Sequence, residues 1–179
     1  QIQSSQKINE TNLNEADVIS IYKESGKTCV QVFFFRSKQN WGNQSFFPKH
    51  DPDENLNNIL SSFVSQFYEN KNIPCLVITS CKINEKELLE KTFSLKEKKE
   101  IILRESKSKE EHSLVAMAEK NAREALTQKL YETQTNLKLI EKLSKKFKLD
   151  SNINIIEVYD NSHIQGTDCI GGLITFSNE

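Results

Sequence analysis

The stretch ADVISIYKESGKTCVQVFFFR, residues 16–36, decides the fold. From Asp17 to Lys23 the side chains alternate. Val18, Ser20 and Tyr22 fall on one face and Ile19 and Ile21 on the other, the period of a strand. Glu24 to Lys27 predicts a turn, with Gly26 free to take positive φ. Residues 28–36, TCVQVFFFR, are β-branched and aromatic and predict a second strand. Residues 37–42 predict a turn with Trp41 near its tip, and residues 43–48 (NQSFFP) a third strand. Three strands on short links make an antiparallel meander. Alternation sends Phe33, Phe34 and Phe35 to both faces of the sheet, which implies a core covered on both sides rather than a base-stacking surface. Trp41 stays open as a contact residue.

Helices and strands then alternate. Asp51 is placed to cap a helix and Pro52 suits its first turn. Leu56, Ile59, Leu60, Phe63, Val64 and Phe67 form one apolar stripe, ending near Asn70. Residues 74–79 (PCLVIT) read as a buried strand. Asn84 with Glu87 predicts a capping box, opening a helix through Leu88, Leu89 and Phe93. Residues 100–103 (EIIL) predict a fifth strand near an edge. Residues 109–147 hold helical spacing from Val115 to Phe147, and Ala116, Ala118, Ala122 and Ala125 leave room for close packing on a sheet. Unbroken, that helix would span about 58 Å at ~1.5 Å per residue. The interrupted apolar spacing at 133–136 therefore predicts a break or bend. Residues 154–159 (NIIEVY) start a new strand, 160–168 turn, and 171–176 (GGLITF) start another.

Composition bounds the function. The chain has 179 residues, 36% hydrophobic and 27% charged, with 5 Gly and 3 Pro, which excludes collagen-like and low-complexity classes. No apolar run reaches the ~18 residues of a membrane helix. The polar N-terminus, without an initiator Met, predicts no signal peptide and suggests a piece of a longer chain. With 24 basic and 25 acidic residues the surface is not basic throughout. Nucleic-acid binding would be local. Residues 96–148 carry 14 basic and 9 acidic side chains, net +5, a weak basic face. Cys29, Cys75, Cys81 and Cys169 form no CxxC pair, so structural zinc is not expected. Cys29 and Cys75 read as small buried hydrophobes, and the compartment as a reducing cytoplasm.

The order β-β-β-α-β-α-β-α, then β-β, resembles the ribonuclease H-like fold, an α/β class with a mixed sheet. It organises the chain as a polar tail (1–16), a sheet domain (17–108), a long helical segment completing it (109–150), and the first strands of a second such domain (151–179). Two motifs carry a closer resemblance. Glu157-Val158-Tyr159-Asp160-Asn161-Ser162-His163-Ile164-Gln165-Gly166-Thr167 resembles the start of the endonuclease domain of the UvrABC system protein C family, with Tyr159 where that family usually has Phe. Met117 to Leu126 resembles the family's Asn-Ala-x-x-Ala-Leu helix, and Phe46-Phe47-Pro48 and residues 63–68 (FVSQFY) support it. The stretch 103–109 (LRESKSK) lacks the Pro and Gly of the family's basic turn, which puts a phosphate contact there in doubt.

The resemblance implies a nucleotide excision repair incision subunit that acts on damaged double-stranded DNA with the B subunit of the complex, without a membrane. It implies that Asp160 is a catalytic carboxylate and a ligand for Mg²⁺ or Mn²⁺, since such ions favour hard oxygen donors. Asp160 would sit at a strand end. His163 is read as a loop hydrogen-bonding residue, and Asn161 and Ser162 as shaping the turn. One carboxylate cannot complete such a site, so this chain alone is expected to be inactive. The first domain has acids only at the ends of its first strand, Asp17 and Glu24, and none in its fourth. It is expected to be non-catalytic. The competing reading is an interaction or DNA-positioning module, and an unrelated α/β domain is the blander third.

Overall fold

The computed structural model describes residues 13–149, 153, 155–164 and 167–177. The element order is the expected one: β1 (Glu15–Glu24), β2 (Lys27–Arg36), β3 (Gln39–Phe46), α1 (Leu56–Phe67), β4 (Leu76–Thr79), α2 (Lys86–Glu97), β5 (Ile102–Glu105), α3 (Lys109–Phe147), β6 (Ile155–Ile164) and β7 (Thr167–Ser177). The chain divides into two units, Gln1–Lys129 and Leu130–Glu179.

In the first unit five strands lie in the order β3-β2-β1-β4-β5. β1 and β2 pair antiparallel, as do β2 and β3, while β4 runs parallel to β1 and β5 parallel to β4. β5 is an edge strand, as its sequence predicts. The alternation read in residues 16–36 sets the two faces. Ile19, Ile21, Val30 and Val32 pack with Leu60, Val64 and Tyr68 of the α1 region and Phe93 of α2. Ala16, Val18, Phe33, Phe35 and Ile78 pack with Leu114 and Ala118 of α3. Phe33 and Phe35 are fully buried on one face, and Phe34 packs against the core of the other. The triple-Phe run is thus core on both sides.

Several local expectations shift. The link between β2 and β3 is only Ser37-Lys38, with φ of 51° and 63°. Both central residues are left-handed, as a tight hairpin turn requires. β3 therefore starts at Gln39 and contains Trp41. Asp51 and Pro52 precede α1 instead of opening it. Asp51 closes a turn of its own, accepting from the Asp53 and Glu54 N–H groups. Asn55 caps α1, its Oδ1 accepting from Asn57 N at 2.8 Å. α1 ends at Phe67, short of Asn70.

The capping box expected at Asn84 and Glu87 is not formed. Glu85, at φ 53°, precedes α2 with no side-chain cap, and Asn84 reaches across to Asn58. β5 lies two residues later than 100–103, and Ile101 is buried just before it. Cys75, read as buried, is exposed, lies one residue before β4 and donates to Glu15 Oε2 at 3.6 Å, whereas Cys29 is buried as expected, its thiol pushed up to about 11 by desolvation.

α3 runs without a break through 133–136. Residues 109–147 hold neither Gly nor Pro, so nothing in the chain ends the helix there. Residues 1–12 of the expected tail lie outside the described residues, while Glu15 and the fully buried Ala16 belong to β1. In the second unit, β6 and β7 pair as an antiparallel hairpin.

Candidate functional site

Asp160 is the sixth residue of β6, inside the strand rather than at its end. The expected turn over 160–168 does not begin there. Residues 160–162 stay paired with 170–172 of β7, so the strand continues to Ile164, with a register shift between Ser162 and Ile164. Asp160 stands directly opposite Gly172, and Asn161 opposite Gly171. Directly opposed residues of an antiparallel pair share a face, so the β7 position directly opposite Asp160 carries no side chain, with Ile170 and Ile174 its diagonal neighbours on that face. The glycine pair inside a strand was the sequence signal for this. The two glycines differ. A Cβ at Gly172 would come no nearer than 3.8 Å to the Asp160 carbonyl oxygen, whereas one at Gly171 would meet Asn161 Oδ1 at 3.3 Å.

Asp160 is exposed, and so are its neighbours Tyr159 and Asn161. The Tyr159 hydroxyl donates to Glu157 Oε2 at 2.7 Å, and this bond raises the phenol's pKa. Ser162 and His163 belong to β6, but their side chains lie outside the described residues, as does that of Cys169. Asp160 is a hard oxygen donor of the kind a divalent ion takes. It is one ligand: among the described residues no group of three or more His, Cys, Asp or Glu is gathered to hold a metal ion.

The first unit has an acid on its own first strand, in a contrasting state. Asp17 is almost fully buried. Its Oδ1 pairs with Arg36 Nη1 at 2.8 Å, and its Oδ2 accepts from the Tyr68 hydroxyl at 2.7 Å. Burial pushes its carboxyl above the ordinary range, opposed by the bonds from Arg36 and Tyr68. Burial also raises the Tyr68 phenol well above its usual value, reinforced by the charge of Asp17. Both oxygens are committed inside the core. Sequence reasoning placed Asp17 at a strand end and missed these partners, which lie 19 and 51 residues away.

The turn at 103–109 is also closed by internal bonds. Ser108 and Glu111 form the reciprocal capping box that opens α3. Glu111 N donates to Ser108 Oγ at 3.1 Å, and Ser108 N to Glu111 Oε2 at 3.2 Å. Arg104 pairs with Glu111 through both guanidinium nitrogens. Arg104 and the amides of Lys107 and Ser108, which could have met a phosphate, are all bonded to one carboxylate.

A five-stranded mixed sheet in the order β3-β2-β1-β4-β5 with helices on both faces is the ribonuclease H-like arrangement. Residues 15–129 match the UvrC ribonuclease H-like domain, and residues 144–179 match the UvrC RNAse H endonuclease domain. The chain belongs to the UvrC family. It is 49% identical over 173 residues to UvrABC system protein C of Bartonella quintana (strain Toulouse), covering 97% of this chain and 26% of that protein. It is 42% identical over 178 residues to the protein of that name from Maricaulis maris (strain MCS10), covering 99% and 28%. With that of Ruegeria sp. (strain TM1040) it is 41% identical over 179 residues, covering 100% and 28%. The chain thus spans about a quarter of the length of the curated relatives it matches.

Proposed function

We propose that this chain is part of the incision subunit of nucleotide excision repair, a metal-dependent endonuclease that hydrolyses a DNA phosphodiester beside a lesion. The observation that carries the reading is the exposed Asp160 carboxylate, held inside β6 opposite Gly172, in the segment that matches the family's endonuclease domain. In this reading Asp160 is a catalytic residue and contributes an oxygen ligand to Mg²⁺ or Mn²⁺. The bound ion would stabilise charge on the phosphate and make water a better nucleophile. The pairing of β6 with β7 supports this reading, because Gly172, directly opposite, adds no side chain at that position. The partners are damaged double-stranded DNA and the B subunit of the complex. The place of action is the cytoplasm. No helix among the described residues is long and apolar enough to cross a membrane.

One carboxylate does not make the site, so the 179-residue chain alone does not cut DNA. The test is incision of lesion-bearing duplex by a full-length protein carrying this sequence. Asp160→Ala lowers the cut made by this domain by about a hundredfold or more, the scale on which a single group that stabilises transition-state charge is lost, and leaves folding intact because the side chain is exposed. Undiminished incision would refute the assignment, and metal-dependent nicking by the 179-residue chain would refute its inactivity.

A second reading covers the first unit, as a non-catalytic module that positions DNA or a protein partner. It is favoured by Asp17, whose oxygens are sealed by Arg36 and Tyr68. Asp17→Asn should leave incision by the full-length protein unchanged wherever the fold persists.

A further inference from the structure

Trp41 is the chain's single tryptophan and is 71% exposed. The backbone holds it there. Phe34 pairs with Gly42 and Phe35 with Asn40, so Trp41 is the extra residue of a β-bulge. Asn40 Oδ1 accepts from Gly42 N at 2.8 Å and pins the bulge. Gly42 takes φ 126°, which L side chains rarely adopt. The bulge lies on β3, an edge strand that among the described residues has no neighbour on its outer side in the sheet. An indole is a large apolar surface to leave in water, and here the fold presents it instead of covering it.

The surroundings select the occupant. Residues 36–50 contain Arg36, Lys38 and Lys49 and no Asp or Glu. Arg36 is committed to Asp17, while Lys38, three residues before Trp41, is an exposed cation. Gln39 and Gln44 are exposed amides on the same strand. The exposed polar groups of this strand and its turn include amides and a cation, with no carboxylate to repel a phosphate. An indole to stack on, amides for base edges and a lysine for phosphate are the groups that single-stranded DNA uses.

We propose that Trp41 stacks on an unpaired base of single-stranded DNA, with Lys38 against the adjoining phosphate. The proposal rests on the reading of the chain as a DNA-repair protein and adds a contact in the first unit, apart from Asp160.

As the only tryptophan, Trp41 reports on its own site. The 179-residue chain is titrated with a short oligothymidylate and with a blunt duplex while tryptophan fluorescence is followed. The oligothymidylate should quench it saturably, and more weakly as salt rises. The duplex should quench it little. Trp41→Ala should weaken oligothymidylate binding, read by anisotropy of a labelled strand, by about tenfold. Trp41→Phe should keep most of the affinity, and circular dichroism should be unchanged for both.

Binding without quenching, equal quenching by the duplex, or full affinity in Trp41→Ala would overturn the proposal. So would an absence of binding, which would point to a protein partner at this edge. The Asp160 reading is tested by incision and this one by fluorescence, so either can fail alone.

Discussion

Arg104, on β5, and Glu111, in the first turn of α3, meet in a two-pronged ion pair, Nη1 to Oε2 and Nη2 to Oε1, each at 2.8 Å. Glu111 Oε2 also accepts from Lys107 N at 2.7 Å and Ser108 N at 3.2 Å. One carboxylate thus ties the edge strand to the start of the helix that covers the sheet. Fork-to-fork geometry and charge make these bonds stronger than neutral ones.

Acid stability should depend on Glu111. The Arg104 guanidinium, helped by the two backbone N–H groups, holds its carboxyl down at about 2, against an ordinary 4.5. The pKa is lowered in the folded state, so the stabilisation is complete above 4.5 and is lost as pH falls from there towards 2. Its size is on the order of 3 kcal/mol as an upper figure. Urea unfolding of the first unit at stepped pH should show this slope in the parent chain and lose most of it in Glu111→Gln. Equal slopes would refute the pairing.

Asp17 should act with the opposite sign. Burial raises its carboxyl above 3.8, so the folded chain keeps a proton that the unfolded chain has lost. Its contribution is fullest below 3.8 and declines as pH rises through the raised value. The penalty of Asp17→Asn should therefore shrink across that window. Removing one partner is costlier. Tyr68→Phe takes a donor from a buried oxygen and should cost about 1–3 kcal/mol. Arg36→Met leaves a buried acid without its cation and should cost about 3–5 kcal/mol. Matched unfolding curves for the two variants would contradict this order.

Lys96 of α2 closes the end of α1. Its ammonium donates to the carbonyls of Tyr68 at 2.6 Å and Glu69 at 2.8 Å. Tyr68 is the C-cap of α1 and Glu69 follows it, so the ammonium sits at the helix's negative end, where a cation is favoured. Lys96→Met keeps the apolar stem and removes the donor. It should cost about 1–2 kcal/mol and speed amide exchange at the end of α1 before the sheet. Uniform exchange across the unit would show that Lys96 is not a cap.

The legible parts of the fold are those fixed by neighbours in sequence. Alternation from Val18 to Phe35 determined both faces of the sheet. The i, i+3, i+4 stripe from Leu56 to Phe67 determined α1. Side chains that answer to distant partners were not legible. Asp17 looked like a strand-end acid because Tyr68 and Arg36 come to it only through sheet pairing and helix packing. The two capping signatures show the same limit. Asn84 and Glu87 have the spacing, but Asn84 is drawn to Asn58 on α1. Ser108 and Glu111 form the box because the chain enters α3 there with both groups turned inward. At the candidate site Asp160 was legible from its motif. The register that sets Gly172 against it was hidden, because the reading of 160–168 as a turn ended β6 too early.

That register supplies the most specific test of the site. At Gly172 a new Cβ would come no closer than 3.8 Å to another residue's atom, an ordinary contact with the Asp160 carbonyl oxygen. Gly172 also has no positive φ to relax. Substitution there should leave the β6–β7 hairpin paired while adding bulk on the face that Asp160 shares. Gly172→Ala should be tolerated. Gly172→Val, with a branched side chain beside the carboxylate, should lower incision by a full-length protein, with unchanged Tm and unchanged DNA binding. A matched pair at Gly171 controls for general damage to the strand, since a side chain there meets Asn161 and not Asp160. If Gly172→Val cut as fast as the parent, the space beside Asp160 would not be where the phosphodiester lies. If Gly171→Val and Gly172→Val lost activity equally, the effect would belong to the hairpin as a whole and not to the face of Asp160.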